Sequence, residues 1–466
     1  MDRDAQDRVT LITGARVLTC DRAHTEIADG AVAVAGTRIL AVGPTSGLVR
    51  DHPRARVIPA SGKAVIPGFI NSHTHAVLLV LRGTVEDMGG DAIFGYMTPI
   101  SFAMTPDERA ALARLACVEA IRCGTTTLVE VFRFLDGYAD ALIESGLRLW
   151  LAENAADALI RKIRYGVYEH DRSFGREFLD RTASLIERFH GRGDGRIRCQ
   201  VAAHAPDVCS PWMLRELNDI AGRHGLRRTV HLAQSPGEVR QVRALRGSTP
   251  AEYLRDHDWL GPDVVAAHWT WCTDSDIELC ARHGVHMVHC PANSSRLGPH
   301  RVRIGRILDA GINVVLGTDN MTEDMFHALK IGSIIHRRRR GGGPINEVDP
   351  QPAALLDAVT RNAARALGEE AELGTIEPGR RADLAIIDLD RAHLRPIISL
   401  ASSLVHYGHP GAVNSVMVDG RFVMRDGRIL TLDEQAAIGE AQQAAEAAWH
   451  RLHRESGDIP LPPGIR

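Results

Sequence analysis

The stretch VIPGFINSHTH (65–75) decides how the middle of this 466-residue chain folds. It begins as an apolar strand and ends in His73 and His75, two positions apart. Side chains alternate between the faces of a strand, so both imidazoles point to the same face. Two imidazoles at one strand end form half of a metal site. The alternative for an isolated H-x-H pair is two buried histidines bonded to backbone carbonyls.

Seven similar runs follow, separated by helical patterns. They are TTTLVEVF (125–132), LRLWLAEN (147–154), IRCQVAAHAP (197–206), RRTVHLAQS (227–235), DVVAAHWTW (263–271), VHMVHCPAN (285–293) and INVVLGTDN (312–320). Helix starts are marked by Thr105 with Glu108, Thr249 with Glu252, Ser210-Pro211 and Thr273. Eight strand–helix repeats predict an α/β fold, a closed (β/α)8 TIM barrel over residues 67–370. Its active site should lie at the carboxyl ends of the strands.

Both ends of the chain are rich in short strands. Residues 1–66 and 371–430 are expected to combine into one small β-sandwich module. Asp419-Gly420 and Asp426-Gly427 predict hairpin turns in the second segment. Residues 431–466 are Ala-rich and then Pro-rich, which predicts a surface helix and a tail.

The composition is that of an average soluble globular protein. The formal charge is -3, the pI is near 6.7, and apolar residues make up 44% of the chain. We therefore expect neither a nucleic-acid nor a membrane partner, and the polar N-terminus favours the cytoplasm. Eight cysteines without a C-x-x-C pair argue against a disulfide framework and are expected to be buried thiols.

Three more strands end in polar residues. The fifth, sixth and eighth runs present His231, His268 and Asp319. Imidazole and carboxylate ligands at one barrel mouth suit one divalent ion, with Zn²⁺ as the first choice and Fe²⁺, Co²⁺ or Mn²⁺ as alternatives. Such an ion lowers the pKa of a bound water from about 15.7 to about 7, which makes hydroxide available at neutral pH.

A second metal would need a bridging ligand, commonly a carbamylated lysine near the end of the fourth strand. The chain contains only three lysines, Lys63, Lys162 and Lys330, and none of them follows a strand. The fourth run ends in His204 instead. One metal per chain is therefore predicted.

Several motifs together resemble the amidohydrolase superfamily, in its cytosine-deaminase-like branch with the triazine hydrolases and chlorohydrolases. They are PGFINSHTH (67–75), HLAQS (231–235), HCPANSSRLG (289–298), LGTDN (316–320), RNAARALG (361–368) and LGTIEPGRRADLAIID (373–388). They cover nearly the whole chain in order. The combination is highly specific.

The resemblance assigns roles to the strand-end residues. It implies that the metal is held by His73, His75, His231 and Asp319. His268 would polarise the substrate or orient the nucleophile, and Asp319 would also accept a proton from the attacking water. His204 resembles a position that contacts substrate in several relatives, with a structural histidine as the alternative.

Further pocket residues are predicted from their position at or just beyond strand ends, where barrel loops bind small-molecule substrates. They are Phe132, Trp269, Trp271, His289 and Asn293. Plain packing is the alternative for the aromatic members. Relatives are usually dimers or larger assemblies, which implies a homo-oligomer.

The chain departs from the branch at Gln234, where H-x-x-E is usual. An amide carries no titratable proton, so Gln234 can orient a catalytic group by hydrogen bonding but cannot act as a general acid. Deamination of an aromatic ring must protonate a ring nitrogen and the departing ammonia, whereas hydrolysis at an acyl-type carbon needs mainly carbonyl polarisation.

Three functions follow. The first is metal-dependent hydrolysis of a C–N bond in a small neutral amide, urea or carbamate-like molecule, including thiocarbamates and other xenobiotics. The second is an aminohydrolase or dechlorinase acting on a nitrogen heterocycle such as a triazine, pterin or purine. The third is a non-catalytic scaffold, which the complete ligand set argues against. The sequence favours the first because of Gln234.

Overall fold

The computed structural model of the protein describes residues 9–88, 91–296, 302–339 and 348–465. In chain order its strands are β1 (Thr10–Leu18), β2 (Glu26–Ala35), β3 (Arg38–Pro44), β4 (Arg56–Pro59), β5 (Lys63–Pro67), β6 (Phe69–Thr74), β7 (Thr125–Phe132), β8 (Arg148–Ala155), β9 (Ile197–Cys199), β10 (Val201–Ala203), β11 (Arg228–Leu232), β12 (Val264–His268), β13 (His286–His289), β14 (Val314–Leu316), β15 (Arg338–Arg339), β16 (Val348–Asp349), β17 (Leu384–Asp388), β18 (Val413–Val418), β19 (Arg421–Arg425) and β20 (Arg428–Ile429).

The α-helices, again in chain order, are α1 (Thr45–Asp51), α2 (Thr98–Ala103), α3 (Pro106–Arg122), α4 (Ala139–Glu144), α5 (Ile160–Ile163), α6 (Arg172–Phe189), α7 (Pro211–His224), α8 (Pro236–Arg246), α9 (Pro250–Asp256), α10 (Asp274–Arg282), α11 (Pro291–Arg296), α12 (Ile304–Asp309), α13 (Met325–Ile335), α14 (Pro352–Ala358), α15 (Arg361–Ala366), α16 (Leu400–Tyr407) and α17 (Glu434–Ser456). A 3₁₀ helix spans Ala76–Leu81, and a π-helical turn spans Ile93–Met97.

The parallel strands β6 to β14 form the barrel. They neighbour one another in chain order, and a parallel bridge between Thr74 and Asp319 closes the ring. The fourth predicted strand is split into β9 and β10 at Gln200, whose N–H donates to Leu151 O at 2.9 Å. The predicted (β/α)8 barrel is confirmed. The residue pattern of the fourth run did not indicate the interruption at Gln200.

Gly317 allows the last strand to close on the first. A Cβ added there would lie 2.8 Å from the backbone oxygen of His73 and 2.9 Å from its backbone nitrogen. These distances are shorter than any ordinary contact, and backbone atoms cannot move aside as a flexible side chain could. The glycine of the LGTD run is therefore required by the close approach of β14 to β6.

The two chain ends share a second sheet. Its strand order is β20-β19-β18-β17-β5-β1-β2-β3, with β4 paired to β1. Strand β5 from the first segment pairs antiparallel with β17 from the last, which confirms a β-module built from both ends. Asp419 and Asp426 have φ of 47° and 48°, as the predicted two-residue turns require.

A buried ion-pair network joins the module to the base of the barrel. Arg148, at the start of β8, donates from Nε to Asp383 Oδ2 at 2.8 Å and also contacts Asp419. The Arg148 side chain is 4% exposed and that of Asp383 is 6% exposed, so removing Arg148 would leave the buried Asp383 carboxylate without its ion-pair partner. The network therefore fixes the module against the barrel.

The helix starts agree with the capping signals. Thr105 and Thr249 each form a complete capping box, while Ser210 and Thr273 accept hydrogen bonds from the first turns of α7 and α10. The expected surface helix is corrected in one respect, because α17 packs one face into the core. Trp449 on this helix is 1% exposed and donates from Nε1 to Val80 O at 2.9 Å.

All eight cysteines are buried and free, as expected. Among the described residues, no helix has the length and apolar character needed to cross a membrane.

Candidate metal centre and adjoining cavity

Four histidines and one aspartate converge where the barrel strands end. His75 Nε2 lies 3.3 Å from Asp319 Oδ1 and 3.4 Å from His231 Nε2, and His73 Nε2 lies 4.0 Å from Asp319 Oδ1. Ligands held about 2.0–2.1 Å from a tetrahedral ion lie about 3.3 Å from one another. The spacing therefore matches a set of atoms around one cation. These residues are brought together from the beginning, middle and end of the barrel.

The hydrogen bonds of the histidines fit a bound cation. His231 Nδ1 lies 2.6 Å from the carbonyl oxygen of His204, so Nδ1 carries the hydrogen and Nε2 offers its lone pair. Both ring nitrogens of His73 and Nε2 of His268 are buried without a hydrogen-bond partner among the described residues. Buried polar atoms normally have a partner, and a divalent ion would supply one.

The imidazoles are held in the neutral form that ligates metals. Burial lowers the pKa of His73 and His75 well below the ordinary value, and the neighbouring imidazoles lower it further. Burial also lowers the pKa of His231 to about 4. Because a neutral imidazole has a free lone pair, the cluster is prepared for a cation at neutral pH.

Asp319 is oriented by two amides. Asn293 Nδ2 donates to its Oδ2, and Asn320 Nδ2 lies 3.4 Å from its Oδ1. Burial raises the pKa of Asp319 to about 7, while the Asn293 bond opposes the shift. A bound cation acts in the opposite direction, because a nearby positive charge favours the carboxylate. His268 Nε2 lies 3.9 Å from Asp319 Oδ2, which is too far for a direct hydrogen bond.

The ends of β6 and β14 are joined below this cluster by a buried polar network. Asn71 Nδ2 donates to Thr318 Oγ1 and to Glu323 Oε2, each at 2.8 Å. Thr74 Oγ1 donates to Glu323 Oε1 at 2.6 Å. Since these residues flank His73 and Asp319 in sequence, the network holds the proposed ligands in register.

The backbone is strained at the same strand ends. His268, Trp269 and Asp319 have φ of 79°, 56° and 70°, values that side-chain-bearing residues seldom adopt. Strain of this kind costs about 1–3 kcal/mol per residue and is concentrated at functional sites.

A cavity of about 390 Å³ adjoins the cluster. Its wall includes four residues predicted from the sequence, namely Gln234, His268, Trp271 and Asn293. A cavity of this size can enclose a small organic molecule. Arg240 and Asp91 are exposed at its edge.

The other predicted pocket residues lie outside that wall. The Phe132 ring packs against His75 with centroids 5.1 Å apart. Trp269 is 1% exposed and donates from Nε1 to Ala266 O at 2.9 Å, an arrangement typical of core packing. His289 contacts His336, with Nε2 atoms 2.6 Å apart, and lines a separate cavity of about 140 Å³.

Glu238, four residues after Gln234, is not available to replace the proton-transferring glutamate that is usual at position 234. Glu238 accepts hydrogen bonds from the backbone N–H groups of Ala233 and Gln234, both at 2.7 Å, and is 3% exposed. Burial raises the pKa of Glu238 well above the ordinary value, and Asp207 raises it further. The carboxylate of Glu238 is therefore committed to holding the loop.

His204 has a neighbour that sequence reasoning missed. Arg133 Nη2 lies 3.3 Å from His204 Nδ1. Burial lowers the pKa of Arg133 to about 10, with Glu153 opposing the shift, so the guanidinium keeps its charge at neutral pH. The only sequence signal was a charged residue directly after the apolar run TTTLVEVF. Asn71, Asn320 and Glu323 were also missed, although each lies within four residues of a predicted ligand.

Comparison with known proteins agrees with this geometry. Residues 64–423 match the Amidohydrolase family, and residues 30–55 match an imidazolonepropionase-like composite domain of bacteria. The 5-methylthioadenosine/S-adenosylhomocysteine deaminase of Pelotomaculum thermopropionicum is 32% identical, over 93% of this chain and 98% of its own. The 5'-deoxyadenosine deaminase of Methanosarcina mazei is also 32% identical, over 95% and 99%.

Solved structures give the same result. An adenosine deaminase from Xanthomonas campestris with bound zinc is 25% identical and superimposes with a TM-score of 0.84, over 95% of this chain and 99% of its own. An atrazine chlorohydrolase from Arthrobacter aurescens TC1, complexed with zinc, is 24% identical with a TM-score of 0.82, over 94% of this chain and 100% of its own, and supports the fold alone.

Fold, strand-end cluster and relatives together define a hydrolase with a divalent metal site at the mouth of a TIM barrel. The chain belongs to the Amidohydrolase family and acts on C–N bonds other than peptide bonds, with a small molecule as substrate.

Proposed function

We propose that this protein hydrolyses an exocyclic amino group of a nitrogen heterocycle and releases ammonia, with an adenine nucleoside as the first substrate class to test. One observation carries the proposal: relatives named as 5'-deoxyadenosine or 5-methylthioadenosine/S-adenosylhomocysteine deaminases match the chain over 91–95% of its length at 32–34% identity. The first function that the sequence favoured thus becomes the second candidate.

The proposed ligands are His73, His75, His231 and Asp319, and Zn²⁺ is the proposed ion. When bound, the metal polarises the substrate and lowers the pKa of the attacking water. A zinc-bound structural neighbour, the adenosine deaminase from Xanthomonas campestris, supports that choice of ion. His204 replaces the bridging lysine that a second ion would need, so we propose one ion per chain.

The remaining steps belong to side chains. Asp319 Oδ2, held by Asn293, accepts a proton from the attacking water and passes it to the departing nitrogen. His268 Nε2 faces the same carboxylate at 3.9 Å and is placed to polarise the substrate or to orient the attacking water. Water supplies the oxygen, the C–N bond breaks, and both protons of the water end on the ring product and ammonia.

Gln234 favours a second candidate, which is hydrolysis of an amide, urea or carbamate-like C–N bond. Its side chain borders the cavity but cannot transfer a proton. In ring deamination we therefore assign both proton transfers to Asp319, the carboxylate within the histidine cluster. Hydrolysis at an acyl-type carbon needs no protonated ring nitrogen and so makes fewer demands on Asp319.

The test is ammonia release by zinc-loaded enzyme from two sets of compounds. The first set is adenosine, 5'-deoxyadenosine, 5-methylthioadenosine and S-adenosylhomocysteine. The second is a phenylurea, a thiocarbamate and simple amides, with product amines followed by mass spectrometry. Asp319→Asn serves as the inactive control.

Ammonia from the first set alone supports the proposal. Amine release from the second set alone replaces it with the acyl-type hydrolase. Binding of metal without turnover of either set would favour the scaffold.

A further inference from the structure

Arg133 is an unusual buried cation. It follows β7 directly, its residue is 2% exposed, and no carboxylate oxygen of the described residues lies within 4.0 Å of its nitrogens. Arginine is rarely buried without a charged partner. Its hydrogen bonds go to neutral acceptors instead: Nη1 to Ser101 Oγ and Nη2 to His204 Nδ1, each at 3.3 Å.

The direction of these hydrogen bonds can be assigned. A guanidinium has five N–H donors and no acceptor, so His204 Nδ1 must accept. In a neutral imidazole the single hydrogen then lies on Nε2. Ser101 Oγ donates its own hydrogen to Thr98 O at 2.7 Å and keeps a lone pair for Arg133. The bonds therefore orient the guanidinium from both sides.

His204 and His231 consequently have opposite tautomers. His231 Nδ1 donates to the backbone oxygen of His204 at 2.6 Å, which leaves its Nε2 free for a metal. The two rings are neighbours, with centroids 5.3 Å apart. An imidazole with hydrogen on Nε2 cannot ligate a metal through that nitrogen. The Arg133 bond thus separates His204, directly after β10, from the ligand His231 on the adjacent strand β11.

We propose that Arg133 is a positioning residue that fixes His204 as the Nε2–H tautomer, so that His204 selects substrates carrying a hydrogen-bond acceptor, such as an unprotonated ring nitrogen or a carbonyl oxygen. His204 Nε2 makes no hydrogen bond to a described residue, and His204 keeps 6% of its surface exposed. The selection of substrates by His204 rests on the proposed function, whereas the assignment of its tautomer does not.

The experiment uses zinc-loaded enzyme with ¹⁵N-labelled histidine. Long-range ¹⁵N–¹H spectra distinguish Nδ1–H from Nε2–H rings, and the His204→Asn variant identifies the His204 signals by their loss. The wild type should show His204 with hydrogen on Nε2. Arg133→Met should give a mixture or the Nδ1–H form, because the donor to Nδ1 is gone. Arg133→Lys should restore Nε2–H, since lysine is also a pure donor.

Arg109→Met is the matched control. Arg109 is also buried beside Ser101, whose carbonyl oxygen it contacts from Nη2 at 2.9 Å, but it does not contact His204. Its loss should leave the His204 tautomer unchanged. Zinc content, measured in every variant, should stay at the wild-type value because Arg133 contacts none of the proposed ligands.

Hydrogen on Nδ1 of His204 in the wild type, or an unchanged tautomer in Arg133→Met, would overturn the proposal. If Arg133→Met does not fold, the wild-type spectrum still decides. Given turnover of 5'-deoxyadenosine, kcat/KM should fall about tenfold in Arg133→Met, the worth of one hydrogen bond, and recover in Arg133→Lys. Absence of turnover in the wild type would count against the proposed function and leave the tautomer result intact.

Discussion

The two sides of the site are built differently. The metal side consists of residues on β6 and β11 or within three residues of the ends of β6 and β14, and His73, His75, His231 and Asp319 are each no more than 6% exposed. The cavity side consists largely of loops and helix starts, where Gln234 and Trp271 are half-buried and Arg240, on α8, is exposed. A closed barrel thus determines the ligand geometry, while the loops can vary in side chain without disturbing it. Substitutions on the metal side should therefore lower zinc content, whereas those on the cavity side should change turnover and leave zinc bound.

The largest effect is expected on the metal side. His73→Ala and Asp319→Ala should reduce bound zinc from about one per chain to near none and abolish turnover, because each removes a proposed ligand. Metal content is measured by plasma emission spectrometry after dialysis. His393→Ala, at an exposed histidine outside the site, should retain both. Full zinc content in either ligand variant would refute the ligand assignment.

His268→Ala probes the boundary between the two sides. The variant should keep its zinc and lose kcat by on the order of 10², since an aligned polar group at the reacting atom is removed. Zinc content and steady-state kinetics are measured on the same preparation. Loss of zinc along with activity would instead make His268 a ligand.

Gly317→Ala tests whether barrel closure sets the ligand geometry. The added Cβ overlaps the backbone of His73, so unfolding free energy should fall by about 1–3 kcal/mol and zinc affinity should weaken. Urea denaturation and zinc titration measure the two effects. Gly222→Ala in α7, where a Cβ meets nothing within 4 Å, should raise stability by about 0.5–1 kcal/mol. Equal effects of the two substitutions would contradict the packing argument.

Gln234→Glu sharpens the question of reaction type on the cavity side. A carboxyl group there can transfer protons, so deamination of 5'-deoxyadenosine should rise by at least about tenfold, with zinc content unchanged. The comparison is kcat/KM for ammonia release in the variant and the wild type. An unchanged or lower rate would show that Asp319 suffices, or that the cavity excludes the ring.

The smallest effect is expected at Trp271. Trp271→Ala should raise KM about fivefold through loss of aromatic contact with the substrate and leave kcat and zinc content nearly unchanged. Trp212→Ala on α7, away from the cavity wall, is the control. A fall in kcat with constant KM would place Trp271 in support of the reacting groups instead.

Sequence reasoning succeeded where the determinant was local. Apolar runs that alternate with helical patterns predicted eight barrel strands, and the capping signals at Thr105 and Thr249 predicted helix starts. It missed the break at Gln200 and the inward packing of Trp449, because both depend on distant partners. Trp269 and Trp271 are two residues apart and equally aromatic, yet only the second borders the cavity. The backbone has a positive φ at His268 and Trp269, and the two tryptophans lie in different surroundings. No local sequence pattern predicts this backbone conformation.

The sequence by itself determined the order of the barrel strands, the residues at their ends, and the formation of one β-module from both ends of the chain. Each of these follows from local strand and helix patterns and from short motifs. Only the tertiary structure decided which strand-end residues meet the cavity, what Gly317 is needed for, and that Arg133 contacts His204, 71 positions away. The physical reason is that these features are contacts between side chains and backbones far apart in sequence. These contacts form only when the barrel closes, so the secondary-structure propensity of each segment does not predict them.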